Sequence, residues 1–226
     1  MDRTAMARDP AMRLAIYDLD KTLTRRPTFT PFLLFAAWRT HPWRVLLLPV
    51  WVLLMVGYRL GLYDRTWLKT QGMHLMLPGV GHTSLQRIGR EYAESIAASG
   101  AFNRTIVEKA EQDRTARAEL VMATAAFEFY ACAFAEELGF AGLVATRWDG
   151  SAIPDGNCYG PEKLRRIQEW LAEQGLEREN CHIFACSDSP ADAPLLDWAD
   201  EALLVDPTRT GKILARNHGW SVVSTA

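Results

Sequence analysis

Two aspartates separated by a single residue, Asp18 and Asp20, follow a short apolar stretch near the beginning of the chain. The apolar residues 14–16 predict a β-strand, along which alternate side chains share one face. Two carboxylates on one face repel each other unless a cation lies between them, and their hard oxygens favour Mg²⁺. The pair therefore predicts a magnesium site at the carboxyl end of a strand, where open α/β sheets bind ligands. The alternative is that both aspartates cap the turn that follows.

Four further polar residues are expected at the same edge of the predicted sheet. Thr124 follows the second strand, Lys163 lies at the start of a helix, and Asp188 and Asp192 follow another strand. Each has an ordinary structural explanation by itself, as a strand-end residue, a solvated lysine or a helix cap. Their occurrence together and in this order favours one shared site over four unrelated features.

The remainder of the chain alternates between predicted strands and helices, which indicates a parallel sheet with right-handed crossovers. A hairpin is expected through the Asp149-Gly150 pair. A helix is expected from Ala125 to Leu138 and another from Gly160 onwards. The later strands are predicted at residues 119–123, 142–146, 182–185, 202–205 and 220–223.

The segment between the first two strands predicts helices only. Asp64 is positioned to cap a helix that ends near Met76, and residues 82–98 place apolar side chains at helical spacing. We expect residues 12–24 and 117–226 to form the core, with residues 25–116 as a helical insertion.

An uncharged apolar run, residues 45–58, has no polar face and is therefore either buried or in contact with lipid. Its length is short of the roughly 20 residues that a spanning helix needs. Arginines and aromatic residues on both flanks favour a helix that lies in the membrane interface, within a segment of residues 45–62. A buried core helix and a single span extending to Leu62 are the alternatives.

Composition narrows the function classes. The 226 residues suit one large domain or a core with an insertion, and a net charge of −2 argues against nucleic acid as a partner. The four cysteines lack zinc-site spacing and are expected to be reduced thiols in a cytoplasmic protein. Residues 1–13 contain no apolar stretch, so no secretory signal is expected. The sequence does not indicate an oligomeric state.

The polar residues and their order resemble the haloacid dehalogenase superfamily, whose members are mostly phosphatases. The DLDKT sequence at 18–22 matches its DxDxT motif, Thr124 the lone Ser/Thr motif, Lys163 the lysine motif, and SDSPAD at 187–192 the acidic motif. The resemblance implies a Rossmann-like core with an all-helical cap after the first strand, as in the phosphoserine phosphatase-like subfamily IB. Lys21 and Ser187 depart from it, because many relatives have glycine at both positions.

The resemblance also implies roles for the three residues closest to the metal. Asp18 would attack phosphorus and form an aspartyl-phosphate, which divides one difficult hydrolysis into two easier steps. Asp20 would give a proton to the leaving alcohol and later take one from water. Mg²⁺ would be held by Asp18, by the main-chain carbonyl of Asp20 and by Asp188.

The phosphate would be bound by Thr124, by the main chain near Ala125 and by Lys163, whose charge balances the carboxylates. Asp192 is expected to anchor Lys163 or a metal-bound water.

The insertion occupies the position of the cap that selects the substrate in this superfamily. It contains Phe29, Phe32, Phe35, Trp38 and the apolar run, and it resembles the membrane-associated branch that includes phosphatidylglycerophosphatase C. A lipid phosphomonoester, such as phosphatidylglycerophosphate or lysophosphatidate, is therefore the expected substrate at the inner face of the membrane. The alternatives are a soluble phosphatase of small metabolites and a catalytically weak interaction protein at the membrane surface.

Overall fold

The computed structural model describes residues 12–225. Residues 1–11, which include most of the segment where no secretory signal was predicted, and Ala226 lie outside the described residues. Six parallel strands form one sheet in the order β3-β2-β1-β4-β5-β6. The strands are β1 (Met12–Tyr17), β2 (Glu119–Phe127), β3 (Gly142–Thr146), β4 (Cys181–Ser187), β5 (Glu201–Val205) and β6 (Ser221–Val223).

Strand β1 lies in the middle of the sheet, and its side chains are buried on both faces. Ala15 and Tyr17 point into one hydrophobic cluster, whereas Leu14 and Ile16 point into the other. A strand covered on both faces is typical of parallel sheets, whose crossover helices shield each side. Strand order reverses at β1, which makes its carboxyl end the switch point where such sheets bind ligands.

Four helices follow β2 and complete the two outer layers. Helix α6 belongs to the first cluster through Phe129 and Phe134, and α7 belongs to the second through Ile167 and Leu171. The bounds are Glu128–Glu137 for α6, Pro161–Glu173 for α7, Ala193–Trp198 for α8 and Arg209–His218 for α9.

Five helices and a short 3₁₀ segment occupy the stretch between β1 and β2. They are α1 (Phe29–Thr40), the 3₁₀ segment (Pro42–Leu47), α2 (Leu48–Arg59), α3 (Arg65–Met76), α4 (His82–Ala98) and α5 (Arg104–Thr115). Asp64 caps α3, since its side chain accepts a hydrogen bond from the main-chain N–H of Trp67 at 2.7 Å. Leu85, Ile88 and Tyr92 of α4 are buried in the same hydrophobic cluster as Tyr17 of the sheet. The inserted helices therefore share a core with the sheet.

Gly89 of α4 packs directly against the start of α6. A Cβ atom at this residue would lie 2.7 Å from the carbonyl oxygen of Phe129 and 2.8 Å from Cα of Tyr130. We expect Gly89→Ala to lower the free energy of unfolding by about 1–2 kcal/mol, because overpacking costs more than alanine's helix propensity returns. Urea unfolding measures the loss. Gly81→Ser is the control, since Gly81 is the N-cap of α4, where serine is favoured, and a Cβ there meets no atom within 4 Å. Equal losses in the two variants would contradict the prediction.

Two predicted elements differ from the structure. The helix expected from Ala125 begins only at Glu128, because β2 continues through Phe127 with a shift of register after Ala123. The expected hairpin at Asp149-Gly150 is also wrong, and residues 147–180 contain no strand. Asp149 Oδ1 instead accepts hydrogen bonds from the N–H groups of Ser151 and Ala152, which closes a local turn.

The exposed large apolar side chains are concentrated in one part of the chain. Within residues 12–225, all of them except Ile213 and Val222 lie between residues 38 and 67. We call this set the apolar surface, and it consists of Trp38, Trp43, Leu46, Val50, Val52, Leu53, Val56, Tyr58, Leu60, Leu62 and Trp67. In α2, burial is confined to Trp51 and Gly57. The interpretation of this run as a buried core helix is therefore wrong.

One helical stretch in residues 12–225, Pro42–Arg59, is long and apolar enough to cross a membrane by length and composition. Its mean hydropathy is 1.2, and only 11% of it is buried. Trp51, the buried tryptophan of this stretch, packs against Gly72 of α3, where a Cβ atom would lie 2.8 Å from its ring. The apolar surface is thus fixed to α3 through a close contact that only glycine allows.

Candidate active site

A cavity of about 250 Å³ lies at the carboxyl end of the central strands. It brings together residues from both parts of the chain, since Arg65 comes from the inserted helix α3. The other lining residues come from strand β2, from the loops after β1 and β4, and from α7 with the loop before it. The lining residues are Asp18, Asp20, Lys21, Pro27, Arg65, Ala125, Tyr159, Lys163, Asp188, Ser189 and Asp192. Seven of the residues singled out in the sequence, Lys21 included, therefore line one cavity.

Asp18 and Asp20 reach the cavity in a different way from the one predicted. Strand β1 ends at Tyr17, so strand alternation does not place both carboxylates on one face. Asp18 is fixed by its N–H, which donates to the carbonyl of Cys186 in β4 at 2.9 Å. Residues 19–23 then form a tight turn in which Lys21 has a φ of 59°. That left-handed conformation favours glycine, the residue that many relatives have at this position, so Lys21 adopts it at a cost in backbone strain.

Lys163 connects the two ends of the site. It lies in the first turn of α7 and is only 1% exposed, and its Nζ donates to Asp18 Oδ1 at 2.9 Å and to Asp192 Oδ2 at 2.6 Å. Ser187 Oγ also donates to Asp192 Oδ2, at 2.7 Å. Asp192 makes no side-chain cap of α8, so its alternative role as a helix cap is wrong and its carboxylate anchors Lys163 instead.

Burial dominates the electrostatics of these groups. It raises the pKa of Asp18 to about 7, although Lys163 acts in the opposite direction. Burial also raises the pKa of Asp188 to about 6, against the effect of Lys21 and Lys163. For Lys163, burial would lower the pKa, but Asp18 and Asp192 raise it above its usual value, so the ammonium stays protonated. The charge balance is separate from this effect: the cavity is lined by four carboxylates, those of Asp18, Asp20, Asp188 and Asp192, against three cationic side chains, those of Lys21, Arg65 and Lys163.

This excess of carboxylates fits a divalent cation. The expected donors are two carboxylates and one main-chain carbonyl, so three side chains gathered around one point are not required. No three His, Cys, Asp or Glu side chains within residues 12–225 form a ready metal site. The carboxylate of Asp20 does not complete such a group, because its Oδ1 accepts hydrogen bonds from both the N–H and the hydroxyl of Thr28 at 2.7 Å. The main-chain carbonyl of Asp20 is the donor that the resemblance assigns to the metal together with the carboxylates of Asp18 and Asp188, and all three residues line the cavity. A few protein oxygens supplemented by water are the surroundings that Mg²⁺ prefers.

Thr124 is more deeply buried than predicted. It has no exposed surface, and its Oγ1 accepts a hydrogen bond from the N–H of Ala126 at 3.0 Å. The next residue, Ala125, lines the cavity. The phosphate-binding segment predicted from these residues thus presents Ala125 to the cavity, whereas Thr124 is buried and does not line it.

Several site residues were missed by the sequence analysis. Arg65 was interpreted as a flank of the apolar run, but it lines the cavity and its guanidinium stacks on the ring of Tyr159 at 4.4 Å. Thr28 orients Asp20, and Lys69 lies buried behind Ala125. The one available signal was the predicted helix after Asp64, which places Arg65 and Lys69 one turn apart on the same face.

A doubly wound parallel sheet that carries a paired aspartate and lysine at its switch point is an open α/β fold whose polar groups lie where such sheets bind ligands. The chain belongs to the haloacid dehalogenase-like hydrolase family, whose sequence pattern matches residues 15–197. The match confirms the predicted superfamily and, together with the sheet, the predicted fold class.

Relatives agree with this assignment. Over 114 residues the chain is 32% identical to "Probable phosphatase Rv3661" of Mycobacterium tuberculosis, which covers 47% of this chain and 38% of that protein. The chain thus spans about two fifths of the length of the curated relatives it matches. A Bordetella pertussis protein of unknown function has a TM-score of 0.83 at 23% identity, covering 95% of this chain and 99% of that chain. A phosphoserine phosphohydrolase-like protein from Francisella tularensis has a TM-score of 0.60 at 15% identity, covering 94% and 95%. The two structural likenesses concern the fold.

Proposed function

We propose that this chain is a Mg²⁺-dependent phosphatase that hydrolyses a phosphomonoester through an aspartyl-phosphate on Asp18. The observation that supports this most directly is the 2.9 Å contact between Lys163 Nζ and Asp18 Oδ1 inside the cavity. Because one carboxylate oxygen is fixed by the ammonium, the orientation of the side chain is fixed and the other oxygen can attack phosphorus. The family and the name of the Mycobacterium tuberculosis relative support the same reaction class.

Asp20 serves as the acid and then as the base. Two hydrogen bonds from Thr28 occupy its Oδ1, so the proton is carried on Oδ2. When the bond between phosphorus and the ester oxygen breaks, this proton goes to the leaving oxygen. Asp20 then accepts a proton from the water that attacks the aspartyl-phosphate, which releases inorganic phosphate and restores Asp18.

The phosphate oxygens are bound by the ammonium of Lys163 and the main-chain N–H of Ala125, while the buried Thr124 hydroxyl accepts from the N–H of Ala126 and holds this segment in place. Arg65 adds a second cation to the lining of the cavity. The carboxylates of Asp18 and Asp188 and the carbonyl of Asp20 would hold Mg²⁺, which offsets the repulsion between the nucleophile and the phosphate.

A lipid is the substrate class that the surroundings of the cavity favour. A volume of about 250 Å³ accommodates a phosphate and part of a headgroup, so acyl chains would remain outside. Arg65 lies three residues after Leu62 and two before Trp67, both of which belong to the apolar surface. The residue that α3 contributes to the cavity thus lies between exposed apolar side chains that suit a bilayer.

The charge of the segment also suits a membrane that contains anionic lipids. Residues 38–67 contain Arg39, Arg44, Arg59 and Arg65 against one acidic residue, Asp64. Arginine and aromatic side chains around an apolar face are typical of helices that lie in the interface. We place the protein at the cytoplasmic face of the membrane as a peripheral protein, with phosphatidylglycerophosphate and lysophosphatidate as candidate substrates, in line with the branch that includes phosphatidylglycerophosphatase C.

A panel of phosphomonoesters tests this proposal, half of them lipids in mixed micelles and half soluble, each incubated with Mg²⁺. We expect phosphate release from lipids, and we expect Leu53→Glu to lower it about tenfold or more, because burying a leucine contributes about 1.5–3 kcal/mol. Leu53 is 70% exposed on α2. Ile213→Glu is the matched control, because Ile213 is exposed on α9 outside the apolar surface.

The outcomes separate the candidate functions. Release from soluble esters alone would make the protein a small-metabolite phosphatase and would exclude the lipid substrate. Equal effects of Leu53→Glu and Ile213→Glu on lipid hydrolysis would exclude the apolar surface as the membrane contact. No release from any ester, with vesicle binding retained, would favour an interaction protein at the membrane surface.

A further inference from the structure

Lys69 is a buried lysine of α3 that the proposed reaction does not use. It is 4% exposed, and its Nζ donates to the carbonyl of Ala125 at 2.5 Å and to Asn157 Oδ1 at 2.8 Å. The ammonium also lies 4.1 Å from the centre of the Phe127 ring. Both oxygen partners are neutral, so this cation is held in the protein interior by dipoles and an aromatic face.

Such a cation is costly to bury. Burial, and to a smaller extent the charge of Arg65, lower the pKa of Lys69 well below its usual value. An apolar side chain of similar length at this position would avoid the loss of hydration of the ammonium. Buried ionisable groups with perturbed pKa values are concentrated at functional sites, so the group that Lys69 contacts is a candidate for a functional role.

The group that Lys69 holds is the peptide between Ala125 and Ala126. The carbonyl of this peptide accepts hydrogen bonds from Lys69 Nζ and, on another side, from Thr146 Oγ1 at 2.9 Å. The N–H of the same peptide donates to Thr124 Oγ1 at 3.0 Å. Both polar groups of one peptide are therefore fixed, at the point where β2 loses register with β3.

This arrangement determines the direction of the Thr124 hydroxyl. Its oxygen already accepts a hydrogen bond from Ala126, so its hydrogen is left to donate to another acceptor. The hydrogen bond from Lys69 to the carbonyl polarises the peptide and strengthens the donation from its N–H, because hydrogen bonds in a chain reinforce each other. Thr124 thereby holds the main chain at Ala125, the residue of this segment that lines the cavity.

We propose that Lys69 is a positioning residue that orients the phosphate-binding donors of residues 124–126 from the inserted helix α3. The proposal rests on the function proposed above, since it requires that these residues bind phosphate. Lys69 touches neither substrate nor metal in this role and acts through the Ala125–Ala126 peptide. The inserted helices thereby contribute to the geometry of phosphate binding in addition to covering the cavity.

The affinity for inorganic phosphate tests this role in the full-length chain. In the presence of Mg²⁺, phosphate binding is measured by calorimetry and as competitive inhibition of ester hydrolysis. We expect Lys69→Met to weaken phosphate binding about tenfold or more, as for the loss of a hydrogen bond from a charged group. Met73→Ala is the control, because Met73 is also buried on α3 and its truncation destabilises the helix without touching Ala125.

If Lys69 only stabilised the fold, its substitution would affect the kinetics and the binding of phosphate differently. A smaller folded fraction would lower the apparent kcat, because fewer molecules are active, but the dissociation constant for phosphate would be unchanged. This is the result that we expect for Met73→Ala. If Lys69→Met does not fold, Thr146→Val removes the other donor to the Ala125 carbonyl and is expected to weaken phosphate binding in the same direction. If either variant folds and binds inorganic phosphate with the wild-type dissociation constant, the role of Lys69 is overturned and the proposed function stands. If the wild-type protein binds no phosphate, the proposed function is overturned together with this inference.

Discussion

Replacing Asp18 with asparagine is expected to lower phosphate release by about 10³-fold or more, the order of loss that follows removal of a nucleophile. Asparagine has nearly the size of aspartate and its carbonyl can still accept the hydrogen bond from Lys163, so the fold should be retained. It cannot supply the carboxylate oxygen that attacks phosphorus. The measurement is phosphate release with Mg²⁺ for the two proteins, with thermal unfolding followed in parallel.

The matched control is Asp20→Asn, which removes the acid and keeps the nucleophile. Its carbonyl can still accept the hydrogen bonds from Thr28, but it carries no proton for the leaving alcohol. We expect turnover to fall by about 10²–10⁴-fold, with a phosphorylated protein still detectable after an acid quench. The Asp18→Asn variant should give no phosphorylated protein. Phosphorylation of that variant would contradict the assignment of Asp18 as the nucleophile.

Lys163→Met is expected to be the most destabilising single substitution in the site, with a loss of about 3–5 kcal/mol in the free energy of unfolding. The ammonium is the shared partner of Asp18 and Asp192, which are 7% and 1% exposed. Methionine fills the space but leaves two carboxylates close together without a cation. Urea unfolding in the absence of Mg²⁺ measures the loss, and phosphate release should fall as well because Lys163 binds the phosphate.

Two further variants identify the cause of this loss. The double substitution Lys163→Met/Asp192→Asn removes one of the stranded carboxylates and should regain part of the stability, since the residues are coupled. Lys212→Met removes an exposed lysine of α9 and should change the stability by less than about 0.5 kcal/mol. A Lys163→Met protein as stable as the wild type would contradict the importance of the buried ion pairs.

The order of chemical groups along the chain was predictable because it follows from strand periodicity and motif spacing. An apolar strand precedes Asp18, and another strand ends at Asp188. Local sequence alone therefore locates the edge of the sheet where strand order reverses and ligands bind. The pairing of Lys163 with Asp192 was one of three roles left open for that aspartate, beside a contact with a metal-bound water and a helix cap. In the structure Lys163 Nζ donates to Asp192 Oδ2 at 2.6 Å, although the two residues are 29 positions apart in the chain.

The parts that could not be predicted depend on contacts between distant segments. Lys69 reaches Ala125 across 56 residues, and Thr28 reaches the ring hydroxyl of Tyr130 across 102. No local pattern distinguishes these side chains from an ordinary helix lysine or a loop threonine. The extension of β2 to Phe127 has the same origin, because local propensity favours a helix from Ala125 and the contacts of its carbonyl keep the backbone extended.

The exposure of the apolar surface has a consequence for how the protein would encounter its substrate. A protein held on a bilayer by this surface finds lipid headgroups by lateral diffusion within two dimensions, where their effective concentration is far above that in the bulk. Its turnover would then follow the mole fraction of substrate among the surrounding lipids. Spreading the same amount of substrate through more neutral lipid would slow the reaction, although nothing at Asp18 or Lys163 had changed.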